Sequence, residues 1–167
     1  MTAATAAVLF VVDQPAAITL LACAYIGVVG LWLSVIDFRT HRLPNVIIFP
    51  SYAVVAALLA LYAADAHDVA ALGRAAAAAA LTGALYAAMN RWGSMGRGDV
   101  KLGVLLALLF GWLGWDAVIS GPVVGFLLAF VVALGLVLSG KGRNTYVAFG
   151  PYLVGGALIT ICRHFVA

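Results

Sequence analysis

Glutamate is missing from this chain of 167 residues, and charge of any kind is scarce. Six Asp and nine Lys and Arg together make 9%, where globular proteins carry about 25%. Most residues of a small domain touch water, so a soluble fold cannot be built with so little charge. A disordered chain is excluded by the same lack. The net charge of +3 leaves no basic patch for nucleic acid, and no nucleic-acid partner is expected. Cys23 and Cys162 each lie alone in an apolar stretch, so there is no CxxC pair, zinc knuckle or disulfide framework. Each is expected to be a buried structural thiol. His41, His67 and His164 lack carboxylate partners at ligand spacing, so neither a metal site nor another cofactor is expected. In their place the chain has apolar residues, 66% of the total, with a mean hydropathy of +1.15. It reads as an all-α integral membrane protein.

Six stretches carry no charge: 14–36, 43–64, 75–90, 102–115, 117–140 and 144–162. About 20 helical residues cross the hydrocarbon, and Arg74 and Arg91 can extend the third stretch by snorkelling. The expectation is one transmembrane domain over 1–167. Its spans are roughly 14–36, 44–64, 72–92, 99–115, 117–140 and 146–165; five spans plus a re-entrant segment is the other count. The fourth stretch is short for a span. Ala75 to Ala80, with Gly83, offers a thin face for close helix packing. The N-terminal run up to Asp13 has no basic region before it and is not read as a cleaved signal peptide.

Six spans put Arg39, Arg42, Arg91, Arg97, Lys101, Lys141 and Arg143 on one side of the membrane. Arg74 and Arg163 fall on the other. The basic side is expected to be cytoplasmic, with both termini outside the cell membrane. Trp112 and Trp115 then fall at the outer end of the fourth span, as in an aromatic belt.

Ionisable residues at membrane depth are functional candidates, because each is costly unless paired or hydrated. Asp13, Asp65, Asp68 and Asp116 fall in outer loops, where water solvates them. Asp37 and Asp99 differ, since both lie at cytoplasmic helix ends within segments rich in Gly, Pro or Asn. Asp99 could simply cap the fourth helix, with Gly96 and Gly98 freeing the turn. Asp37 ends the first helix, where the macrodipole disfavours an anion; an ion pair with Arg39 or Arg42 is its plain alternative. Pro44 fits the first position of the second helix.

Three segments carry a family resemblance. Asp37-Phe38-Arg39-Thr40-His41-Arg42-Leu43-Pro44-Asn45 resembles the first motif of the type IV prepilin peptidases, an Asp followed after five residues by Ile/Leu-Pro-Asn. Gly96-Arg97-Gly98-Asp99-Val100-Lys101-Leu102 is similar to their second, the Gly-x-Gly-Asp-x-Lys segment. Phe149-Gly150-Pro151-Tyr152-Leu153 resembles the family's Pro-Phe-Gly-Pro segment, with Ala148 where proline is usual. The resemblance implies a GxGD-type aspartyl protease that removes the leader of prepilins or pseudopilins at the cytoplasmic face. Asp37 and Asp99 would be catalytic. Pro44, Asn45, Gly96, Gly98, Lys101, Gly150 and Pro151 would shape the site or bind substrate. Long members of the family carry an N-terminal methyltransferase domain with paired CxxC motifs, absent from this sequence. Peptidase activity without methylation is the expectation, as in the short members found with tight-adherence (Flp-type) pili. The implied partners are the prepilin substrate and the bilayer, with oligomeric state open.

The chemistry is consistent with that resemblance. Amide hydrolysis needs an activated water and a proton for the leaving amine, and two carboxylates sharing one proton supply both. The sequence has no plausible Ser–His or Cys–His pairing and no HExxH helix. The same aspartates suit two other roles: a charge relay in a small proton- or cation-coupled transporter, or helix caps in an assembly protein.

Overall fold

The computed structural model describes residues 14–93, 95–139 and 148–166. They form six helices: α1 Gln14–Thr40, α2 Asn45–Asp65, α3 Val69–Arg91, α4 Arg97–Leu113, α5 Trp115–Leu138 and α6 Gly150–Val166. Among the described residues there is no strand. Asp13, Lys141, Arg143 and positions 146–147 lie outside them.

The helix ends depart from the expected spans because charge marks where lipid stops, not where a helix stops. α1 runs through Asp37 to Thr40 instead of ending at 36. The Thr40 hydroxyl donates to the Ile36 carbonyl at 2.8 Å, and Leu43, the residue before Pro44, is biased away from helix. α3 starts at Val69, ahead of 72, because Asp68 caps it. The Asp68 carboxylate accepts the Ala71 N–H at 3.0 Å and pairs with Arg74 at 3.2 Å. Asp68 is therefore a structural cap rather than a solvated loop residue. α4 and α5 meet at a single residue, Gly114, whose φ of +134° suits glycine alone.

α1, α2, α3 and α5 are long and apolar enough to cross a membrane. Leu31, Phe49, Leu81 and Phe130 stand exposed on them, as lipid-facing side chains do. α4 and α6 have 17 residues each, about 25 Å of helix. α4 is the centre of the bundle and touches each of the other five helices. Leu102, Leu105, Leu106, Leu109 and Phe110 fill the core from it. The chain is a multi-pass membrane protein of all-α architecture.

Small residues let the backbones close together. Ala71, Ala75 and Ala78 are buried on α3, and a Cβ on Gly111 of α4 would lie 2.5 Å from the Ala75 Cα. The alanine run thus packs as its composition suggests. On α5 and α6 a Cβ on Gly156 would lie 2.5 Å from the Gly125 nitrogen and 2.6 Å from the Gly121 carbonyl oxygen. Backbone cannot yield as a side-chain tip can. Gly156→Ala is expected to destabilise the bundle by about 1–3 kcal/mol, read as a lower unfolding midpoint in mixed micelles.

Two expectations are corrected here. Trp112 is 4% exposed and packs on the Tyr62 ring at 5.2 Å, so of these two tryptophans Trp115, 49% exposed, alone has the setting of a belt residue. Helical spacing turns Trp112 toward α2 instead of lipid. Cys23 is buried, but Cys162 near the end of α6 is exposed.

Candidate active site

Three helix ends meet at one end of the bundle: the last turn of α1 and the first turns of α4 and α6. The last turn of α1 presents Asp37. Its closing residue, His41, has φ +49° and donates its N–H to the Asp37 carbonyl at 2.8 Å. Left-handed closure of this kind ends a helix sharply. The chain then turns through Pro44, which is the N-cap of α2 (φ −72°, ψ 124°) and not its first helical residue. Pro44 lacks the N–H that this position leaves unused in any case, and its carbonyl accepts from Ile47 and Ile48.

The α3–α4 loop is held by Asn90, whose side-chain amide donates to the Met95 carbonyl at 2.6 Å. Gly96 is the N-cap of α4, so Asp99 is the third helical residue. The Asp99 carboxylate reaches back to the Gly96 N–H, the return half of a capping box. The cap reading of Asp99 is thus physically real, but it accounts for only part of what the carboxylate faces.

Asp37 and Asp99 line one cavity of about 380 Å³, near enough for their charges to interact. Asp37 is only 6% exposed, and its Oδ2 accepts the Gly150 N–H at 3.1 Å. The alternative partners of Asp37 are not engaged: neither Arg39 nor Arg42 forms an ion pair with it among the described residues. Asn45, Gly96, Gly98 and Lys101 share the cavity wall. The Lys101 ammonium donates to the Asn45 side-chain oxygen at 2.7 Å and sits 5.3 Å from the centre of the Phe49 ring. Gly98 abuts Leu43, where a Cβ would approach to 3.0 Å. The first two motifs therefore interlock. Pro44 and Pro151 are half-buried, do not line the cavity, and set the starts of α2 and α6.

Several residues of this site carried no prior signal. Tyr52 donates its hydroxyl to the Lys101 carbonyl at 2.6 Å and ties α2 to α4; a tyrosine among apolar residues reads as core. Asn90 reads as a helix end. His41, Arg42, Arg97 and Phe149 line the cavity and lie inside the quoted segments or beside them, where any of them could as well be solvated. Among the described residues no cluster of His, Cys and Asp could hold a metal.

If the Lys101–Asn45 bond couples the two motifs, Lys101→Met and Asn45→Ala will not be additive. A double-mutant cycle on thermal unfolding is expected to give about 0.5–1 kcal/mol of coupling, modest because the pair is exposed. Strict additivity would mean that the contact carries nothing.

The sequence model of the type IV leader peptidase family matches residues 24–139. Two curated relatives, each called prepilin leader peptidase/N-methyltransferase, come from Burkholderia pseudomallei strains 1026b and K96243. Each is 32% identical over 143 residues, covering 78% of this chain and 42% of the relative. The chain thus spans less than half the length of these relatives. No solved structure matches it. The family match runs from within α1 to the end of α5 and takes in both aspartates and the interlocked segments around them, so the chain belongs to the type IV leader peptidase family.

Proposed function

We propose that this chain is an intramembrane aspartyl endopeptidase that cuts the leader from type IV prepilins or prepilin-like proteins. The observation that carries the reading is the placement of Asp37 and Asp99, from two separate helices, on one cavity at the helix ends. In one step, the ionised carboxylate takes a proton from water as the oxygen attacks the scissile carbonyl carbon. The protonated carboxyl gives its proton to the carbonyl oxygen, leaving a gem-diol. In the next, the amine nitrogen takes a proton from the newly protonated acid and the C–N bond breaks. A gem-diol proton returns to the other carboxylate, so the pair again holds one proton. The Gly150 N–H holds Asp37 in place, Gly96 lets the Asp99 carboxylate fold back on the start of α4, and Gly98 lets Leu43 pack against it. Asn45 and Lys101 brace the wall between them, and Pro44 and Pro151 start the helices that frame it.

In this reading the carboxylate end faces the cytoplasm, in keeping with seven basic residues on that side against two. Both termini are then outside. Six spans form one transmembrane domain, and Flp-type prepilins are the favoured substrates. The substrate's apolar helix stays in lipid while its leader enters the cavity from water. The test is purified chain in nanodiscs with a leader-bearing prepilin, read by mass spectrometry. Two fragments split at the leader boundary are expected. An intact precursor across several lipid compositions would falsify the reading.

A further inference from the structure

At the end of the bundle opposite Asp37 and Asp99, a second cavity of about 180 Å³ opens where α4 gives way to α5, beside the last turns of α6. It is smaller than the roughly 300–1,000 Å³ of sites for drug-sized molecules. Asp116, Ser120, Thr160, Arg163 and His164 line it.

Thr160 is 5% exposed and its hydroxyl has no hydrogen-bond partner. Elsewhere in the bundle, Thr19, Ser34, Thr40, Ser51 and Ser139 each donate the hydroxyl to the carbonyl four residues back. Thr160 does not, and an orphan hydroxyl in an apolar surround is costly. Thr160 is among the residues lining the cavity, and threonine has two χ1 rotamers open to it in a helix. The cavity also contains opposite charges kept apart: among the described residues neither Asp116 nor Arg163 forms an ion pair. A ligand with charge of both signs would satisfy all three groups.

We propose that this cavity binds a zwitterionic phosphoethanolamine group. The Arg163 guanidinium grips the phosphate through paired N–H donors, and the Ser120 and Thr160 hydroxyls donate to its remaining oxygens. Asp116 accepts from the primary ammonium, which has three N–H donors. A quaternary choline has none, and a glycerol headgroup has no positive charge for Asp116. At a bundle end the group can be a lipid headgroup or a soluble phosphodiester, and the chemistry is the same.

The test is native mass spectrometry of the full chain, titrated with phosphatidylethanolamine, phosphatidylcholine or phosphatidylglycerol of matched chains. Glycerophosphoethanolamine serves as the soluble arm. Phosphatidylethanolamine adducts are expected to exceed the other two by about fivefold, the net scale of one ordinary hydrogen bond. Asp116→Asn is expected to erase that preference, and Thr160→Val and Arg163→Gln to lower ethanolamine adducts. If Arg163→Gln does not fold, the exposed Asp116→Asn decides alone. Adducts with glycerophosphoethanolamine as abundant as with the lipid make the ligand soluble; adducts with the lipid alone make it a headgroup. Equal adducts across the three lipids, or a preference that survives Asp116→Asn, would overturn the proposal. Peptidase activity does not enter the measurement.

Discussion

Asp99→Asn is expected to lower leader cleavage by at least about 10³-fold, and Asp37→Asn by a similar factor. An amide nitrogen can neither take the proton from water nor return one to the leaving amine. The double variant should be no more than a few-fold worse than either single one, because two groups acting as a unit are lost together. Wild-type activity against pH should be bell-shaped, since one carboxyl must be ionised while its partner is protonated. Both limbs of that curve belong to the pair. Circular dichroism and elution volume guard against misfolding. An Asp99→Asn enzyme that keeps a tenth of its activity would leave Asp99 with the capping role that its contact with Gly96 already supplies.

The distribution of charge was enough to place six helices, because a chain with 9% charge has few places where a span can end. It was not enough to place their ends. Thr40 and Asp68 each extend or begin a helix through a side-chain bond to backbone. Such bonds depend on a rotamer and leave no periodic trace. Within the candidate site, the motif residues Asn45, Gly96, Gly98 and Lys101 were legible as members of a pattern. Their partnerships were not, since a hydrogen bond from α4 to α2 requires knowing that those helices touch. Tyr52 and Asn90 were invisible for the same reason: each supports the site by donating to a carbonyl, and any carbonyl could have been the acceptor.

The glycines of the second and third motifs turn out to need space more than conformational freedom. Gly96 and Gly150 have no left-handed φ; among the described glycines only Gly93 and Gly114 do. A Cβ on Gly96 would lie 2.9 Å from Asp99 Oδ2, and one on Gly150 would lie 2.7 Å from Asp37 Oδ2. Each aspartate therefore rests against a position where only hydrogen fits. A serine or alanine there would act on the carboxylate before it acted on the helix.

Gly150→Ala measures that most directly. Its methyl group must displace the Asp37 carboxylate, which is buried and held by the same residue's N–H at 3.1 Å. A shift near 1 Å costs about 10²-fold when a reacting group must meet its substrate in fixed geometry. The loss should fall on kcat and leave KM within a few-fold, because in the proposed mechanism Asp37 handles a water and a proton rather than binding the substrate. Unfolding midpoints should barely move, since backbone conformation at Gly150 is open to alanine. Gly98→Ala is the natural control. Its Cβ would meet the Leu43 side chain at 3.0 Å, and a leucine can rotate aside, so a loss of at most about tenfold is expected. If Gly150→Ala cleaves as well as Gly98→Ala, the carboxylate of Asp37 has another resting place and its bond to Gly150 is incidental to the reaction.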